Sequence, residues 1–156
     1  MTLKLGDTAS KFSLPSRRGE DVDVGACFGD APVVLLFFPF AYSSVCTAEL
    51  CQFRDEWQQW GSLGCKVFGI SIDSMFVTEK FRADLSIPFP LLSDFNKTVS
   101  ATWGALHEDL MGLKGVTKRA TFVIDRTGKI SYAAVQESPG EQIDFEALRA
   151  AVHAAT

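Results

Sequence analysis

The chemistry-bearing residues of this chain gather around one sulfur. Cys46 ends the segment Pro39-Phe40-Ala41-Tyr42-Ser43-Ser44-Val45-Cys46, just after an apolar run at 33–38. A buried strand should hand over to a helix there. A thiol at a helix start meets unpaired amides and the positive end of the dipole, which favour the thiolate. The thiolate is the nucleophile, whereas an ordinary buried thiol is inert. Burial opposes the charge, so a cation is needed as well. Arg119 is the candidate because it opens an apolar strand that should lie beside the run at 33–38. Lys118 competes for this role, but only a planar guanidinium can hold a thiolate and a substrate oxygen together. Ser43 could cap the helix or bond a substrate oxygen. Pro39 has no N–H and would close one wall against water. Such a pocket suits attack on a polar O–O bond, with fixed donors stabilising the charge on the leaving oxygen. The sulfur would become a sulfenic acid.

Cys51 lies five residues further along the same helix. Ideal geometry separates the two Cα atoms by about 8.6 Å, from ~7.5 Å of rise and roughly 140° of rotation. That exceeds the ~7 Å limit for an unstrained disulfide. If the two sulfurs pair, the first turns of the helix must unwind. The resting state is therefore expected to be reduced and helical.

The elements that must position these residues follow from periodicity. Segments 11–14 and 20–24 read as an entry hairpin, and 33–38 as a strand buried on both faces. A helix is expected over 44–61, with Cys46, Leu50, Phe53, Trp57 and Trp60 as its apolar stripe. A strand at 65–72 would close a βαβ unit. A helix at 75–85, an extended connection at 86–90 and a short helix at 97–103 come next. A strand at 121–125, a turn at 126–128 and a partner strand at 129–135 precede a final amphipathic helix at 143–155. This is an α/β plan of thioredoxin-like type: a central mixed sheet flanked by helices, with an N-terminal hairpin. Nothing divides the chain, so residues 1–156 are expected to form one domain.

Composition narrows the function classes. The chain has 156 residues, 47% of them hydrophobic and thirteen of them Phe, which excludes disorder. The net charge of −4 argues against nucleic acid or an anionic membrane as partner. No stretch approaches the ~20 apolar residues of a membrane span, and residues 1–7 lack the apolar core of a signal peptide. A cytoplasmic location is expected. The cysteines at 27, 46, 51 and 65 form no Cys-x-x-Cys pair and, with only two His, resemble no zinc site. No metal and no cofactor are expected. Cys27 and Cys65 read as packing residues, and Trp57, Trp60 and Trp103 as core or interface. His107 and His153 have no evident partner. Glu49 reads first as an acid favouring the helix dipole, and otherwise as a brace for an arginine.

Pro39-x-x-x-Ser43-x-x-Cys46 resembles the peroxiredoxin active-site signature. Arg119-Ala120-Thr121-Phe122-Val123-Ile124-Asp125 resembles the strand whose Arg activates the peroxide in that family. The opening at 5–14 and the segment Phe89-Pro90-Leu91-Leu92-Ser93-Asp94 are also similar to family segments. The resemblance implies a peroxidatic Cys46, a pocket of Pro39, Ser43 and Arg119, and a peroxide substrate. Cys46-Thr47-Ala48-Glu49-Leu50-Cys51 resembles the bacterioferritin-comigratory type, in which the second Cys resolves the first. The flanks at 37–41 and 89–94 resemble the alkyl hydroperoxide reductase E type, which often works with one Cys and tends to form dimers. A thiol-dependent peroxidase restored by thioredoxin or a similar thiol, and a candidate homodimer, are therefore expected. Ser43 stands for the commoner Thr and keeps its hydroxyl. Tyr42 stands for the usual Phe and is expected only to adjust the pocket. Two other readings stay open: a thiol–disulfide oxidoreductase, disfavoured without Cys-x-x-Cys, and a non-enzymatic redox sensor that would not require Arg119.

Overall fold

The computed structural model describes residues 2–156. A hairpin of β1 (Ser13–Arg17) and β2 (Glu20–Asp23) opens the chain. A 3-10 turn at Gly25–Cys27 leads into β3 (Val33–Phe37), α1 (Ser44–Asp55), α2 (Trp57–Ser62) and β4 (Lys66–Ser71). Then come α3 (Met75–Leu85), β5 (Leu91–Ser93) and α4 (Thr98–Thr102). A two-rung hairpin of β6 (Asp109–Leu110) and β7 (Leu113–Lys114) precedes β8 (Arg119–Ile124), β9 (Ile130–Gln136) and α5 (Phe145–Ala155).

The main sheet has the order β5-β4-β3-β8-β9. β3, β4 and β5 run parallel, while β8 is antiparallel to both β3 and β9. It is the mixed sheet expected from the sequence. β3 lies at its centre and is buried at every position, as its unbroken apolar run requires. Its side chains alternate between two cores. Val34 and Leu36, with Phe38 just beyond the strand, meet Leu50 and Phe53 of α1, Trp60 of α2 and Leu148 of α5. Val33, Leu35 and Phe37 meet Trp103 and Phe122, with Leu14 and Val22 of the first hairpin beside them. Gly69 of β4 sits where β5 approaches: an added Cβ would lie 2.5 Å from Leu91 Cδ2.

Two local differences from the sequence reading have clear causes. The helix expected over 44–61 breaks at Glu56, which leaves helical geometry (φ −101°, ψ 16°). The redirected second piece stacks Trp60 on Phe53 at 4.7 Å and lets Arg149 bond Glu56 Oε1 at 2.6 Å. The β6–β7 hairpin was not expected, because two-residue strands carry no periodicity. Its turn, Met111-Gly112, has positive φ at both residues (53° and 83°), as tight hairpin turns require. No described helix is long and apolar enough to cross a membrane.

Candidate active site

The site forms where β3 ends and α1 begins. Ser43 is extended (ψ 152°), and Cys46 is the third residue of the helix, with no exposed surface. The antiparallel pairing of β8 with β3 sets Ala120 opposite Phe37. Arg119, one residue earlier on β8, thereby reaches the start of α1, and it is 1% exposed.

Arg119 Nη2 donates to Cys46 Sγ at 3.2 Å and to the Pro139 carbonyl at 2.9 Å. Its Nη1 donates to Glu49 Oε1 at 2.6 Å. A cationic donor binds a thiolate more strongly than a thiol. Arg119 Nε and Glu49 Oε2 are buried and find no partner among the described residues. Burial pushes the Glu49 carboxyl up to about 7, and the charge of Arg119 pulls it only partly back. Burial also opposes the charge of Arg119. Glu49 and Cys46 outweigh that effect and keep the guanidinium firmly protonated.

A cavity of about 190 Å³ opens onto this group, walled by Pro39, Phe40, Ser43, Val45, Leu110, Met111, Arg119 and Pro139. Cys46 lies behind the wall, bonded to Arg119. A slightly larger cavity of about 230 Å³ is lined by Arg17, Glu20, Glu79 and Arg82. It contains no thiol, and both of its arginines are already paired with carboxylates.

The structure brings Pro39, Ser43, Cys46, Glu49 and Arg119 together. At three points it decides between alternatives the sequence raised, and at a fourth, Tyr42, it departs from the expectation. Ser43 does not cap α1: its hydroxyl donates to the Phe40 carbonyl at 2.8 Å. Glu49 does not act on the helix dipole, because the first turn of α1 holds no acid. It is fully buried on the Cys46 stripe, three residues on, and braces Arg119. Lys118 turns away from the site to pair with Glu137 at 3.0 Å. Tyr42 does not line the cavity. Its ring packs on Phe81 at 4.8 Å, and its hydroxyl donates to Asp84 at 2.7 Å.

Cys51 is half-buried on α1, and the four cysteines are free thiols. Cys27 and Cys65 are half-buried against opposite cores, where packing residues belong. Four residues escaped the sequence reading. The Pro139 carbonyl on Arg119 has no side-chain signature, and Leu110 and Met111 belong to the unexpected hairpin. Asp73 accepts the Ala41 N–H at 2.8 Å and the Ser71 hydroxyl at 2.8 Å, anchoring the loop before the helix.

The profile of the AhpC/TSA family matches residues 5–133. A Mycobacterium tuberculosis protein that bears the peroxiredoxin name is 38% identical over 128 residues, which is 82% of each chain. The peroxiredoxin named bcp of Coxiella burnetii is 37% identical over 134 residues, covering 84% of this chain and 87% of its own. Among solved structures, the peroxidoxin BcpB of Mycobacterium tuberculosis superposes with a TM-score of 0.85 at 34% identity, over 99% of both chains. The fold is the thioredoxin-like one of these relatives. The chain therefore belongs to the AhpC/TSA family and is a peroxiredoxin, a thiol-dependent peroxidase.

Proposed function

We propose that Cys46 is the peroxidatic thiol and that Arg119, Ser43 and Pro39 form its peroxide pocket. The observation that carries this reading is the 3.2 Å hydrogen bond from Arg119 to Cys46 Sγ, made by a guanidinium that also lines a cavity. The Cys46 thiolate attacks the distal oxygen of ROOH, and the O–O bond breaks. Sulfur becomes the sulfenic acid, and the RO⁻ released takes a proton to leave as ROH. The Arg119 guanidinium lines the cavity and stabilises the oxygen that gains charge. The Ser43 hydroxyl already donates to Phe40, so it meets the peroxide O–H as an acceptor. Pro39 offers the peroxide no competing N–H. Glu49 holds the guanidinium in place. Hydrogen peroxide and small organic hydroperoxides fit a cavity of about 190 Å³ with apolar walls.

Resolution requires motion, because Cys46 has no exposed surface. Cys51, on the same helix, attacks the sulfenic acid, giving a disulfide and water once the first turns unwind. A dithiol such as thioredoxin then reduces the pair. The competing route is direct attack by an external thiol. Met111 and Leu113 are exposed at the rim, 80% and 48% respectively, and suit a homodimer contact there.

Intact mass after one equivalent of hydrogen peroxide tests the reading. The expected product is a disulfide in the wild type and a trapped sulfenic acid in Cys51→Ser. The same sulfenic product in both proteins makes Cys51 a bystander. Unchanged peroxide reactivity in Cys46→Ser overturns the assignment of Cys46.

A further inference from the structure

Tyr42 has an unusual backbone: φ is 70°, in the left-handed region that bulky residues avoid. Such a residue persists only where its surroundings hold it, and outliers of this kind gather at switch regions. Two contacts hold this one, both to the β4–α3 unit. The ring lies on Phe81, and the hydroxyl donates to Asp84 of α3 at 2.7 Å. The neighbouring Ala41 N–H is tied to Asp73 at 2.8 Å. The loop entering α1 is thus strapped to α3, one residue before the N-cap Ser43.

We propose that the Tyr42–Asp84 hydrogen bond is a latch that sets how often the start of α1 opens to expose oxidised Cys46. The inference rests on Cys46 being the peroxidatic thiol, but it does not depend on which thiol resolves it. Cys51 and an external thiol alike need the fully buried sulfur to emerge. Opening the helix start frees Tyr42 from its strained conformation, so the strain favours opening and the hydroxyl opposes it. The latch lies outside the peroxide pocket, because Tyr42 does not line the cavity. It is therefore a positioning device for the second step and is silent in the first.

Tyr42→Phe tests this, since it keeps the ring on Phe81 and deletes only the donor. In a Cys51→Ser background, the protein is oxidised with one equivalent of hydrogen peroxide and then mixed with 2-mercaptoethanol. Quenched samples give the rates of sulfenic acid formation and of mixed-disulfide formation. Losing one hydrogen bond of this kind should speed the second step about threefold to tenfold, leaving the first unchanged. Asp84→Ala should match it, and the double variant should add nothing, as expected for two ends of one bond. Amide-exchange protection over 42–51 should fall while the global unfolding midpoint holds. Equal mixed-disulfide rates in parent and Tyr42→Phe remove the latch alone. So does an equal acceleration of both steps, or full additivity in the double variant. No sulfenic acid in the parent removes the reading of Cys46, and the latch with it.

Discussion

Cys46 and Cys65 are two thiols packed against the same core, and their polar neighbours differ in kind. Cys46 receives a hydrogen bond from a guanidinium. Cys65 gives one, at 3.5 Å, to the Trp60 carbonyl. An acceptor can bind only the protonated form of sulfur, and a cationic donor favours the ionised form. Burial pushes the Cys65 thiol up to about 11. Cys46 is the more buried of the two, with no exposed surface at all. On the assignment proposed for Cys46, depth does not separate the peroxidatic thiol from Cys65; the observed difference is that the polar neighbour of one donates and that of the other accepts.

The sharpest way to break this contrast is to remove the donor. Arg119→Met should slow oxidation of Cys46 by hydrogen peroxide by about 10²- to 10³-fold, as read by stopped-flow, because the fixed charge at the leaving oxygen is lost. Arg119→Lys should recover only part of the rate, since an ammonium cannot span sulfur, the Pro139 carbonyl and Glu49 at once. A rate within about threefold of wild type in Arg119→Met would show that the helix start activates the sulfur alone.

Glu49 allows a test through pH. Its carboxyl stands at about 7 in the folded protein, against an ordinary 4.5. Between those values the folded state holds the proton that the unfolded state has lost, so stability falls as pH rises. The contribution is fully present below about 4.5 and is lost as pH climbs through 7, with a span on the order of 3 kcal/mol. Glu49→Gln lacks this titration. Urea unfolding at pH 5 and pH 8 should show the wild type losing stability relative to Glu49→Gln across that range. A constant difference would mean that Arg119 keeps Glu49 ionised throughout.

The smallest effects belong to the other thiol. Cys65→Ala should cost about 1 kcal/mol of stability, typical of a half-buried packing residue, and leave peroxidase turnover intact. In the folded, reduced protein, alkylation of Cys65 should quicken roughly tenfold per pH unit between 8 and 10, as expected for a thiol held at about 11. Fast labelling of Cys65 at pH 7 would break the comparison from its inert side.

Much of this site was legible in the residues. The run at 33–38 reads as a doubly buried strand because apolar residues occupy both faces, and β3 is the central strand. Cys46 follows from the handover to a helix, and Arg119 from its place at the head of an apolar strand. Glu49 was visible as well, three residues beyond Cys46 on the same stripe. A carboxylate on an apolar face signals a buried cation, and that signal outranks the dipole reading first given to it. Tyr42 was misjudged because its partner, Asp84, is forty-two residues away and no local pattern links them.

By itself the sequence determined the central strands β3, β4, β8 and β9 with the longer helices around them, the apolar stripe of α1, and the place of Cys46 at its start. These depend on interactions within a few residues, which periodicity records. The tertiary structure shows how Arg119, preferred over Lys118 from the sequence, reaches the sulfur: the β3–β8 register brings the head of β8 beside the end of β3. It also decided that Glu49 braces the guanidinium, that Ser43 bonds Phe40 rather than the helix, and that Tyr42 straps α1 to α3. Each of these is a choice of partner that local sequence does not fix. Such choices are settled by which groups the packed strands and helices leave within hydrogen-bond reach.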